Sequence, residues 1–374
     1  MKPFEEPIYV TRPIMPPLGE FTDKIEQIWE SKWLSNNGTQ LQLLEREIQK
    51  TLKVPHASIF NNGTIALMTA IKSLELKGEV ITTPFTFPAT PNSLTWCNVT
   101  PVFCDINPVT MNIDADKIEK SITKKTTAIL GVHVFGTPCD VKKIQKIAKK
   151  YKLKVIYDAA HAFGTEIDDV GIGNFGDISM FSFHPTKLFH TAEGGALTCN
   201  DVLLRDKINL LRNFGIKNEV EVLVHGINGK MNEIQAVLGL AVLPLIKTER
   251  KKRELIGKIY KHYLDDIEGI TYLKDLVDVK SSFQYFVIRI NKEIFGRSRD
   301  EVYDILKTYN IFTRKYFFPL CSQYPYYKHL PSAKPKNLPI AHQVVEEVLV
   351  LPFYGTLPIG DAEKIITLIQ SFKK

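Results

Sequence analysis

The feature that most constrains this chain is a strict alternation between residues 57 and 157. Short β-rich runs at 57–60, 80–83, 101–105, 127–132 and 154–157 are separated by helical stretches at 64–76, 89–97, 115–122 and 141–151. Parallel strands cannot be joined by a tight turn and need a crossover, which a helix supplies. The alternation therefore predicts an α/β fold built on a mainly parallel, mixed sheet with helices on both faces.

After Asp158 the rhythm changes. The runs at 177–183 and 195–199 lie too close together for a crossover helix and predict an antiparallel hairpin or a sheet edge. Helices resume at 203–214 and 231–264. Beyond residue 265 comes a smaller α+β region with strands near 270–273 and 283–290, helices near 299–309, 340–348 and 361–372, and a loop rich in Tyr and Pro at 316–331. The first 20 residues are Pro-rich and predict an extended arm, followed by amphipathic helices at 21–33 and 40–53. The expected division is a large domain with its arm over 1–250 and a small C-terminal α+β domain over 251–374.

Composition excludes several classes. With 44% hydrophobic and 24% charged residues, the chain is neither disordered nor fibrous. Lys+Arg 48 against Asp+Glu 41 leaves +7, but the basic residues are scattered, so no nucleic-acid stripe is predicted. The excess weakly favours an anionic ligand. Five widely spaced cysteines with no zinc spacing predict a reduced, cytoplasmic setting and no metal site. Met1–Pro7 carries no apolar signal core, and no apolar run reaches the roughly 18 residues that span a bilayer.

Gly171-Ile172-Gly173-Asn174-Phe175-Gly176 satisfies the dinucleotide pattern GxGxxG. That pattern works when a helix begins inside it and presents its N-terminus to a pyrophosphate. Here the strand-like Asp177–Phe183 follows, so a Gly-rich turn is predicted instead.

Four other features stand at the ends of predicted strands. Phe60-Asn61-Asn62-Gly63-Thr64 joins a strand to a helix, and Gly63 and Thr64 could cup a phosphate at the helix N-terminus. Thr83-Pro84-Phe85-Thr86-Phe87-Pro88 follows another strand and offers Phe87 as a wall. Val155-Ile156-Tyr157-Asp158 ends in an acid, followed by Ala159-Ala160-His161. Ser182-Phe183-His184-Pro185-Thr186-Lys187 places a lysine and a phosphate-binding serine before Glu193-Gly194-Gly195. Singly, each has an ordinary explanation: a helix cap for Thr64 or Asp158, a core aromatic for Phe87, a surface charge for Lys187. Together they match the needs of pyridoxal 5′-phosphate (PLP): an amine for a Schiff base, an acid for the ring nitrogen, a phosphate cup and a ring wall.

The chain resembles the fold-type-I, PLP-dependent nucleotide-sugar aminotransferases of the DegT type. The resemblance runs from about Pro13 to the C-terminal helix. It rests on the stretches above, on His133-Val134-Phe135-Gly136, and on Gly226-Ile227-Asn228-Gly229-Lys230-Met231-Asn232-Glu233. It implies Lys187 as the Schiff-base lysine and proton shuttle, Asp158 on the ring nitrogen, His161 near the ring hydroxyl and Phe87 on the ring face. It implies Gly63, Thr64 and Ser182 on the phosphate. It also implies a homodimer with shared active sites, in which Asn228 reaches the neighbouring subunit's cofactor. Lys230 departs from the family's usual Arg and can offer substrate a point charge but not a bidentate fork. His190 and Tyr316 are further substrate-side candidates.

Relatives with His at the lysine position are dehydratases, so Lys187 implies transamination. The Ile14–Glu20 arm, the Trp33–Gly38 turn and the His-Pro-Thr-Lys-Leu loop look most like members that aminate C4 of dTDP-4-keto-6-deoxyglucose. Those members use L-glutamate and make dTDP-4-amino-4,6-dideoxyglucose for surface glycans. The resemblance leaves two alternatives: amination at C3 of a 3-keto-6-deoxy sugar nucleotide, or a non-catalytic PLP-binding regulator.

Overall fold

The computed structural model describes residues 1–373. Helices α1 (Leu18–Ser31) and α2 (Thr39–Leu52) lead into the alternating segment, in the order β1 (His56–Phe60), α3 (Gly63–Ser73), β2 (Glu79–Thr82), α4 (Ala89–Trp96), β3 (Thr100–Phe103), β4 (Thr126–Val132), α5 (Val141–Tyr151) and β5 (Lys154–Asp158). Strands β6 (Ile178–Ser182) and β7 (Gly195–Cys199) complete a seven-stranded sheet of order β1-β7-β6-β5-β4-β2-β3. β1, β2, β4 and β5 are buried along almost their whole length. That is the signature of a sheet covered by helices on both faces, and it explains why these runs read as continuous apolar stretches.

All neighbours in this sheet run parallel except β7, which is antiparallel to both β6 and β1. The expected antiparallel pairing is present, but β7 lies inside the sheet and β1 forms the edge. The consequence for function is geometric. The carboxyl ends of β1, β2, β5 and β6 all face one side of the sheet, where α/β proteins bind ligands.

The helical stretch read at 231–264 is two helices, α6 (Glu233–Val242) and α7 (Ile246–Leu264), parted by a short turn at Leu243–Leu245. Pro244 sits in that turn and has no N–H to continue the ladder. The division expected between residues 250 and 251 falls within α7. Ile246 packs in the core of the large sheet, whereas Ile256, Tyr260 and Leu264 pack in the core of the smaller one.

The smaller sheet has order β8-β9-β10, antiparallel throughout, from β8 (Ile270–Tyr272), β9 (Phe286–Ile290) and β10 (Val348–Leu351). β10 was not foreseen. Its four residues follow a helix directly, and a short apolar run of that length carries no period of its own. The N-terminal arm is extended and pairs Ile8–Tyr9 with Ile311–Phe312. The GxGxxG segment is a turn: Ile172–Asn174 forms a single 3-10 turn and β6 follows. No helix among the described residues is long and apolar enough to cross a membrane.

One close approach ties β7 to the loop before α3. A Cβ on Gly195 would lie 2.8 Å from Gly63 N and from Asn62 C, both backbone atoms that cannot move aside. Gly195→Ala is expected to destabilise the fold by about 1–3 kcal/mol through overpacking. The midpoint of denaturant unfolding checks this.

Candidate active site

The strand ends enclose a cavity of about 580 Å³. Eight residues singled out from the sequence line it together: Gly63, Thr64, Phe87, Asp158, His161, Ser182, Lys187 and Tyr316. They come from five separate stretches, and the topology alone brings them to one place.

The N-terminus of α3 forms one wall. Asn62, not Thr64, caps this helix: its Oδ1 accepts from Ile65 N–H at 2.8 Å. Thr64 is thereby left free in the first turn. The backbone N–H groups of Gly63 and Thr64 have no partner among the described residues, as expected of the first turn of a helix. With the helix dipole behind them, they form an anion cradle. Gly63 packs directly on the end of β6, where an added Cβ would stand 3.1 Å from Ser182 Cβ.

Asp158, the last residue of β5, is 5% exposed. Its Oδ2 accepts from Thr90 Oγ1 at 2.8 Å and its Oδ1 from Ala160 N–H at 3.1 Å. Thr90 is in turn paired with Thr86, Oγ1 to Oγ1, at 2.8 Å. Burial pushes the carboxyl above its usual range, and the bonds from Thr90 and Ala160 and the charge of Lys187 act against that shift.

Lys187 sits in the turn that follows β6, with its N–H donating to His184 O at 2.9 Å. Its Nζ makes no hydrogen bond or ion pair with any described residue. Burial lowers the amine from the ordinary 10.5 to about 8, opposed by the Asp158 carboxylate. An amine poised in this way is a nucleophile near neutral pH.

His161 is buried, and burial together with the Lys187 charge holds it well below the usual imidazole range. Phe135 N–H donates to its Nδ1 at 3.2 Å, so the neutral ring carries its proton on Nε2. The ring lies parallel to Phe317, centroids 5.9 Å apart, and edge-on to Tyr285 at 5.1 Å. Phe87, which also lines the cavity, keeps 59% of its surface open.

Three sequence candidates lie elsewhere. His190 is buried, with Nε2 2.8 Å from Ile14 O, and fastens the lysine loop to the arm. Lys230 Nζ donates to Asn213 Oδ1 at 2.7 Å and sits 4.7 Å over the Phe214 ring. It lines a separate cavity with Asn36, Asn37 and Arg212. Asn228 pairs backbone to backbone with Asn213. None of the three reaches the Lys187 cavity of its own chain.

Thr90, Glu193 and Tyr285 were not foreseen as cavity or partner residues, whereas the aromatic run at 316–320 does bring Tyr316 and Phe317 to the cavity. Thr90 stands in the first turn of α4 and Thr86 in the loop before it, so their shared hydrogen bond comes from the loop's fold and not from a helical spacing. Tyr285 comes from the C-terminal region and carries no local signal.

The residues fit PLP: an unpaired amine, a buried carboxylate, an open helix N-terminus and a flat gap walled by Phe87. The comparisons agree. A model of the DegT/DnrJ/EryC1/StrS aminotransferase family matches residues 18–370. A dTDP-4-amino-4,6-dideoxy-D-glucose transaminase of Escherichia coli is 45% identical over 368 residues, covering 98% of this chain and 98% of the relative. A crystal structure of DesI with its TDP-sugar product superposes with a TM-score of 0.94 at 32% identity, covering 99% of this chain and 94% of that one. The PLP form of Spr1654 from Streptococcus pneumoniae superposes at 0.90 with 25% identity, covering 98% of each chain.

Two outcomes are expected. Cofactor-free protein should take up PLP faster as pH rises through about 8, where Lys187 loses its proton, and level off above that value. Stopped-flow absorbance at several pH values checks this. Thr90→Val removes the bond to Asp158 Oδ2, which costs about 1–3 kcal/mol and pushes the carboxyl higher. The acid limb of the pH profile of kcat/KM should move upward.

Proposed function

Since the chain belongs to the DegT/DnrJ/EryC1/StrS aminotransferase family, we propose that it moves the amino group of L-glutamate to C4 of dTDP-4-keto-6-deoxyglucose. The product is dTDP-4-amino-4,6-dideoxyglucose, used for surface polysaccharide. The observation that carries this reading is the E. coli transaminase, alike over 98% of both chains. The lysine that distinguishes transaminases is also in place, beside a buried acid. The enzyme is PLP-dependent.

When bound, PLP supplies an electrophilic carbonyl and a ring that draws electrons from the donor's α-carbon. Lys187 would be the amine that anchors the cofactor. Its Nζ would also be the group that holds and moves a proton at the reacting centre. Lowered by burial to about 8, the same amine can both accept and return a proton near neutral pH. Asp158, held by Thr90 and Ala160, would keep the ring nitrogen protonated. Gly63 and Thr64 N–H, with Ser182, would hold the phosphate. His161 would donate Nε2–H toward the ring hydroxyl, and Phe87 would cover the ring face. Tyr316 borders the acceptor side.

The remaining roles involve a second copy. In a homodimer, Asn228 completes the phosphate site of the partner, and Lys230 offers a point charge to the nucleotide. His190 acts by anchoring the arm. The setting is the cytoplasm, where nucleotide sugars serve as substrates. The large domain, 1–250, carries the cofactor, and the small one, 251–374, closes the cleft.

The test is a panel of keto-sugar nucleotides with L-glutamate, with the aminated carbon assigned by NMR. The expected product carries the amine at C4 of the dTDP sugar. An amine at C3, or turnover restricted to another sugar nucleotide, overturns the substrate assignment. Lys187→Ala should lose turnover by about a thousandfold or more, since both the covalent anchor and the proton carrier disappear. Steady-state rates check this directly.

A further inference from the structure

The Lys187 amine has no partner at its far end, so its direction is set from its backbone. We infer that Gln284 is the positioning residue for Lys187, its side-chain amide bracketing the lysine's two flanking peptide groups. Oε1 accepts from Leu188 N–H at 2.7 Å, and Nε2 donates to Thr186 O at 2.8 Å. An N–H can only donate and a carbonyl can only accept, so the amide fits one way round. A planar amide tied to the peptides on either side of one Cα fixes both backbone torsions of that residue. The four-carbon side chain then starts from a defined point.

The clamp is itself held from behind. Gln284 is 2% exposed and follows Ser282, whose Oγ donates to His161 O at 2.8 Å. The carbonyls of Phe283 and Gln284 each accept from Arg253 Nη1 at 3.3 Å. Arg253 is 1% exposed and donates through Nε to Glu249 Oε1 at 2.7 Å, and that oxygen also accepts from Gly355 N–H at 2.7 Å. A buried ion pair of this kind is costly to break from one side, so it holds firmly the segment it grips. Residues 282–284 thus tie the His161 segment and the Lys187 loop to the region around the smaller sheet. Nothing local in the sequence marks Gln284.

This inference rests on Lys187 as the reactive amine, so Lys187→Ala is measured alongside. Gln284→Met keeps the side-chain length and deletes both bonds. It is expected to lower kcat by about ten- to a hundredfold through misplacement of the amine. KM for the amino donor should stay within about twofold, because substrate contacts are untouched. In cofactor-free Q284M, the titration of Lys187 should move up from about 8 toward the ordinary lysine value as the loosened side chain reaches water. The pH dependence of acetic anhydride labelling, mapped by peptide mass spectrometry, reads that titration. A purely structural role would lower the melting temperature and leave the titration unchanged, and an unchanged titration overturns the inference whatever the kcat. If Q284M does not fold, hydrogen exchange at Leu188 N–H in the wild-type protein decides. Slow exchange supports the clamp, and exchange at the solvent rate overturns it. Active Lys187→Ala removes the reading beneath it, whereas inactive Lys187→Ala with unaffected Q284M removes the clamp alone.

Discussion

The site depends on keeping a buried amine and a buried carboxylate close without letting them neutralise each other. A lysine beside an aspartate ordinarily forms an ion pair, which raises the amine and removes it from chemistry. Here each oxygen of Asp158 already accepts one hydrogen bond, from Thr90 and from the backbone at Ala160. The carboxylate is thus partly satisfied without Lys187, and burial dominates at the amine. Thr90 on α4, backed by Thr86 in the loop before it, thus bears on the reactivity of a residue that neither touches.

That arrangement is a product of topology. Parallel strands deliver their carboxyl ends to one rim, so a helix N-terminus, an acid, a serine and an aromatic arrive at one cavity from distant parts of the chain. The antiparallel β7 pulls the lysine loop back across the sheet, and the absence of a side chain at Gly195 lets it pass against the anion cradle. The C-terminal region adds Tyr285, Tyr316 and Phe317 along the opposite wall.

Much of this was legible in the sequence because it is local. Strand–helix alternation has a period, Asp158 and Ser182 end apolar runs, and Asn62-Gly63-Thr64 opens a helix. The less legible parts are non-local. β7 could be recognised as antiparallel but not placed inside the sheet, since strand order is set by packing across the whole domain. His190 and Lys230 sit in loops adjoining site motifs, yet backbone direction turns them toward Ile14 and Asn213. Gln284 acts through peptide groups almost a hundred residues away, and no periodicity or motif records such a contact. The resemblance to a family supplied the substrate class, which no residue pattern in the chain spells out.

The central claim is that the cofactor's attachment point is the amine at position 187. Treating the PLP-loaded enzyme with borohydride, digesting it and sequencing the labelled peptide tests this most directly. The account predicts one pyridoxyl group, on Lys187. A label on any other lysine, or no fixed label in a fully loaded protein, contradicts it.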